Sequence, residues 1–297
     1  MLKSLQQLLS TTGDMKRVFV SGHSYSLAGQ GFVRAWRKLF AGDNLVSVAL
    51  EEAKRALAAS VMAGLDYQAL IRGGLGSDSA EAVLQRAVRQ AGAALPPAFL
   101  DTLCAASNAE ANTVSPLPDF AQRLCEQPRA GATCPSMPRI ILSPTESHGD
   151  HCYIVAVYAV LLSQEYDGDP ALPFLAGLSH HFHNVFLPDS GFAGEAMLGE
   201  HLMPMMSHLD REIVGTLPPL LAAQVRKTRH FMTHANTPEA RCFHAADVID
   251  RVLQMRHYER VNAFRAAHAL DDMKLIHEGQ LQAFGQAVAR DAGLIGC

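Results

Sequence analysis

Residues 179–184 read Ser179-His180-His181-Phe182-His183-Asn184, and the reading of the whole chain turns on this stretch. Three of the 14 histidines of a 297-residue chain fall here within four positions. Neutral imidazole binds borderline transition metals well, so the cluster points first to a metal. His180 closes an apolar run (Leu172, Phe174, Leu175, Leu178), and upstream His151 opens another (Ile154, Val155, Val157, Val160, Leu161, Leu162). Runs of this length and composition predict buried helices, and a polar ring on a buried helix needs a partner. Asp247 stands further downstream on a helical stretch.

Outward from the cluster, helices are predicted over about 148–165, 171–186, 193–208, 218–235, 238–257 and 258–290. Before it, spacings of three and four residues predict helices at 31–41, 45–65 (Leu45, Val48, Ala49, Ala53, Leu57, Val61), 79–93 and from Pro97 onward. Strand signals are confined to residues 18–20 and 139–142. Between 112 and 146 stand Pro116, Pro118, Pro128, Pro135, Pro138 and Pro144, a density that forbids a continuous helix. We therefore expect an all-α chain with a helical N-terminal region at 1–130 and a histidine-rich helical domain at 131–297. The glycine-rich stretches at 22–31 and 73–76 lack the lysine of a phosphate loop and read as helix connectors.

The composition excludes several classes. A formal charge of -4 with a pI near 6.4 argues against bulk nucleic-acid binding. No apolar run reaches the roughly 18 residues that a membrane span needs. The six cysteines are scattered without a CxxC pair, which suggests reduced thiols and a cytoplasmic location. A small-molecule substrate is the expected partner, and self-association stays open.

Three short motifs carry a resemblance. His151-Cys152-Tyr153-Ile154-Val155-Ala156 resembles the H-x-x-x-V-A helix of the HD-domain superfamily of metal-dependent hydrolases. Leu175-Ala176-Gly177-Leu178-Ser179-His180-His181 is similar to the helix that supplies that family's His-Asp doublet. His244-Ala245-Ala246-Asp247-Val248-Ile249-Asp250-Arg251 resembles its late A-D-x-x-D helix. The resemblance spans about residues 139–260 and implies an HD-like helical bundle. It implies His151, His180, His181 and Asp247 as ligands of a divalent transition metal (Fe, Mn, Zn, Co or Ni), one ion being favoured over two. His181 stands where the family has aspartate, and imidazole cannot bridge two metals as a carboxylate can. Relatives with additional histidines, among them di-iron oxygenases, suggest His201, His230 and His234 as ligands of a second ion. The expected activity is hydrolysis of a small phosphorylated substrate by metal-activated water. An iron oxygenase of the same fold, or a non-catalytic signalling protein with a degenerate core, are the rivals.

Around this set, His183, Asp189 and Glu195 are candidates for moving protons. Asp189 and Glu195 also suit a plain helix-capping role. Asn184, Arg139 and Arg241 are candidate substrate contacts, since guanidinium forks match phosphate oxygens. Asp247 has a simpler alternative, an ion pair with Arg251 one turn on.

Overall fold

The computed structural model describes residues 2–108, 117–261 and 281–295. The helices are α1 (Leu2–Gly13), α2 (Leu27–Ala41), α3 (Leu45–Met62), α4 (Tyr67–Arg72), α5 (Ser77–Ala91), α6 (Pro97–Ala105) and α7 (Asp119–Glu126). After the proline-rich connector come α8 (His148–Leu161), α9 (Ser163–Tyr166), α10 (Ala171–Ser179), α11 (Gly191–Leu198), α12 (Leu202–Gly215), α13 (Pro219–Thr228), α14 (Pro238–Val261) and α15 (Gln282–Asp291). The fold is all-α. Among the described residues there is no strand, and both strand candidates make only single bridges, Phe19 with Ser26 and Ala132 with Ile140. Each is too short and too exposed to recruit a ladder: Phe19 and Ile141 face solvent. No described helix is long and apolar enough to cross a membrane.

Helix α8 is the axis of the molecule. Every residue from His148 to Leu161 is buried, which explains why its apolar residues occupy all faces and not one stripe. A capping box sets its start: Ser147 Oγ accepts from the Asp150 amide at 3.1 Å, and Asp150 Oδ2 accepts from the Ser147 amide at 3.0 Å. Ser26, which caps α2, also donates its hydroxyl to Asp150. Helices α2, α3, α7, α10 and α14 pack around this axis. Tyr153 donates to Glu52 Oε2 on α3 at 2.9 Å, and Tyr158 donates to the Leu9 carbonyl on α1. One continuous apolar core therefore runs from Leu2 to Leu294.

Several boundaries differ from the expected ones, among them that of the helix predicted over 218–235, which ends at Thr228. The helix predicted over 171–186 ends at Ser179, and residues Phe182–Val185 form a short 3-10 turn. Asn184 causes the break: its side chain bonds both the Leu187 carbonyl and His181, competing with helical hydrogen bonding. The helix predicted over 193–208 splits at Gly199, whose φ of +53° suits glycine. Residues 262–280 of the segment predicted helical over 258–290 lie outside the described residues. Helix α1 was not anticipated, although Leu2, Leu5, Leu8 and Leu9 form its buried stripe.

Candidate metal centre

The packing of α10 on α8 brings the first two histidines together. Gly177 lies so close to α8 that a Cβ there would stand 2.5 Å from Ala156 Cα and N. Three residues after Gly177, His180 closes α10, and its Nε2 lies 3.2 Å from His151 Nε2. His181 follows directly, and the ring nitrogens of His151, His180 and His181 offer ligand atoms all within 4.8 Å of one another.

Hydrogen bonds on the far side of each ring fix the tautomers. A carbonyl only accepts, so His180 Nδ1 donates to Gly177 O at 2.8 Å. His151 Nδ1 donates to Asp250 Oδ2 at 2.7 Å. Asn184 spends its amide N–H on Leu187 O at 3.0 Å, which turns its oxygen to accept from His181 Nδ1 at 2.8 Å. In the His180 and His181 rings Nδ1 therefore carries the proton and Nε2 is left with a lone pair, while His151 donates through Nδ1. Burial, reinforced by the neighbouring rings, pushes His180 and His181 well below the ordinary imidazole value, so these rings are neutral at pH 7.

Asp247 supplies the carboxylate. Its Oδ2 pairs with Arg251 at 2.9 Å, while Oδ1 lies 3.3 Å from His151 Nε2. Burial pushes its carboxyl up, but Arg251 and the His151 contact outweigh burial and hold it well below the usual carboxylate range. The ion pair with Arg251 expected as the simpler alternative is present, and it leaves Oδ1 beside His151. The result is a close cluster: two Nε2 atoms 3.2 Å apart and a carboxylate oxygen 3.3 Å from one of them. His181 Nε2 and Asp247 Oδ1 are buried and have no hydrogen-bond partner among the described residues. Such unsatisfied acceptors are costly unless something electron-poor sits between them. A divalent cation answers that need, and three imidazoles with one carboxylate suit a borderline transition ion.

A further layer surrounds the cluster. Asp250 takes Lys16 Nζ on its other oxygen at 2.7 Å, and Glu146 lies 3.4 Å from the same ammonium. His148, one turn before His151, is buried with both ring nitrogens unpartnered among the described residues, its Nε2 3.7 Å from Asp189. Sequence reasoning missed His148. The signal was its three-residue spacing from His151, which places both rings on one helix face. It also assigned no role to Glu146, Asp250, Arg129 or Lys16.

A cavity of about 140 Å³ opens on this cluster, lined by His181, His183, Asn184, Asp189 and Glu195 together with Arg129, Thr133 and Arg251. Asp189 is held by two backbone donors, the Gly191 amide at 2.8 Å at the start of α11 and the Ala130 amide at 3.0 Å. Burial and the nearby Asp189 push the Glu195 carboxyl up. Burial takes His183 down to about 4. Asn184 reaches the cavity wall, but its amide is committed to orienting His181.

Other sequence candidates lie elsewhere. His201, His230 and His234 are exposed and join no group of metal-ligand type among the described residues. Each follows or ends a helix on a polar turn, so nothing directs its ring inward. Arg139 is exposed on the connector, donating weakly to Ala130 O at 3.5 Å, and Arg241 is exposed and donates to Ala235 O. Neither lines the cavity; Arg129 and Arg251 take those places. Arg229 is structural: it grips Asp210 through two bonds, at 2.5 and 3.0 Å, and ties Ser179 at the end of α10.

Comparison with curated proteins and with solved structures gives no match. A family model described as HD domain matches residues 121–288, more than half of the chain. That span runs from α7 past α14 and carries His151, His180, His181 and Asp247. With these motifs on these helices, the chain belongs to the HD domain family, a superfamily of metal-dependent phosphohydrolase-like proteins.

Proposed function

We propose that this chain is a metal-dependent hydrolase acting on a small phosphorylated substrate. One observation carries the reading: ligand atoms of His151, His180 and His181 lie within 4.8 Å of one another, with Asp247 Oδ1 3.3 Å from His151 Nε2, beside a cavity that presents two guanidinium groups. These four would hold one divalent transition ion, leaving it a net charge of about +1 and room for further ligands. When bound, that ion lowers the pKa of a coordinated water and withdraws charge from a phosphoryl oxygen.

The remaining work falls to the chain. Arg129 and Arg251 supply cationic forks for phosphate oxygens. Glu195, its carboxyl pushed up by burial and Asp189, lines the cavity and is the candidate to take or give a proton at its carboxylate. Asp189, anchored by two amides, keeps that carboxyl's neighbourhood negative. His183 stays neutral down to about pH 4 and offers a second proton acceptor at the cavity wall. The cavity's size favours a small phosphate ester over a polymer.

His201, His230 and His234 are exposed and join no metal-ligand group among the described residues, which favours the one-ion reading over a di-iron oxygenase. Metal analysis of protein purified without chelator should give about one ion per chain. A panel of phosphomonoesters and phosphodiesters should then show turnover that His180→Ala abolishes. If no phosphorylated compound is turned over with any divalent transition metal, the hydrolase reading fails.

A further inference from the structure

The acidic layer behind His151 contains a buried cation drawn from the other half of the chain. Lys16 lies just after α1, more than a hundred residues before the first matched family position. Its side chain is 3% exposed, and its ammonium bonds Asp250 Oδ1 at 2.7 Å, Gln254 Oε1 at 2.6 Å and Glu146 Oε1 at 3.4 Å. Asp250 has one oxygen for Lys16 and the other for His151 Nδ1. Glu146, His151 and Asp250 form a second group with metal-ligand spacing, all buried, and the Lys16 ammonium contacts both carboxylates.

Resting on the metal centre proposed above, we infer that Lys16 is a positioning residue of that centre. By holding Asp250 Oδ1, it turns Oδ2 onto His151 Nδ1 and so keeps His151 Nε2 directed at the ion. It also fills, with an ammonium, the acidic group that would otherwise attract a second cation. The N-terminal region is then a working part of the site, joined to it by one charge.

The geometry is a relay, and a relay has a signature. Partners behind a ligating histidine alter metal affinity by about 10- to 100-fold when lost. Lys16→Met should weaken Co²⁺ binding by that factor in the folded full chain and shift the visible absorption of the bound Co²⁺. Lys16→Gln, close in length and still able to donate, should fall between that variant and the unsubstituted protein; it also serves if Lys16→Met does not fold. On an Asp250→Asn background either Lys16 substitution should add no further loss, since the relay is already cut. A purely structural Lys16 would lower thermal stability and leave Co²⁺ affinity and spectrum unchanged at temperatures where the variant is folded. That outcome, or penalties that simply add in the double variant, overturns the inference. If the unsubstituted protein binds no Co²⁺ at all, the metal-centre reading itself fails, independently of Lys16.

Discussion

Gly177→Ala should damage stability and metal binding together, although the residue touches no ligand. An added Cβ would stand 2.5 Å from the Ala156 backbone, against the 3.4 Å at which ordinary contact begins, an overlap of about 0.9 Å. The obstructing atoms are main chain in the middle of a fully buried helix, so neither side can yield by a rotamer change. Relief requires α10 to lift from α8 by a comparable amount. Overpacking of this kind costs about 1–3 kcal/mol. Metal–ligand distances tolerate only about 0.2 Å, so moving His180 relative to His151 should weaken binding by at least about tenfold, or about 1.4 kcal/mol. Thermal unfolding of the metal-free protein measures the first effect. Calorimetric titration with Zn²⁺ or Mn²⁺, well below the unfolding temperature, measures the second. A variant with lowered stability and full metal affinity would refute the claim that this glycine sets the distance between the two histidines.

Three other outcomes are expected. Asn184→Ala removes the acceptor that fixes the His181 tautomer and should reduce metal affinity about tenfold while catalysis-independent folding persists, as read by titration and circular dichroism. The metal-free protein should lose stability as pH falls below about 6.5. His148, His180 and His181 are held well below the ordinary value and His183 at about 4, so the unfolded chain binds more protons in that window. The slope approaches about 1.4 kcal/mol per pH unit for each such ring, and denaturant melts at pH 7, 6 and 5 check it; a flat profile contradicts the buried neutral assignment. His230→Ala and His234→Ala, singly or together, should leave metal content unchanged by plasma mass spectrometry, because both rings are exposed away from the cluster.

The helices and the core of the site were legible because local signals agree with the global fold. His151 and His180 stand out as polar residues in apolar runs, and burial on all sides of α8 is what such a run encodes. Asp247 was readable through its motif. His201, His230 and His234 looked equivalent by residue type but sit on polar turns, where composition says nothing of direction. What stayed hidden was tertiary. Lys16 meets Asp250 across 234 positions, and no pattern in either segment announces the pair. Arg129 reaches the cavity, and Arg139 does not, only because the connector folds back on itself. The proline count located that connector without revealing its path.

That path has a consequence of its own. The segment leaves α7 and returns to α8 through a closed base: the His148 amide bonds Gln127 O at 3.0 Å, the Arg129 amide bonds Glu146 O at 2.9 Å, and Pro128 bridges Ser147. Beyond that base the excursion packs back on the body, with Cys134, Met137 and Ile140 against Ala132, Leu142, Met255 and Tyr258. Yet Gly131, Thr133, Leu142 and Thr145 of the excursion form part of the cavity rim. His151 and Asp247 are thus carried by helices, while part of the cavity rim is carried by a loop. Substitutions at Thr133 or Thr145 would therefore reshape the rim from outside the helices that carry His151 and Asp247.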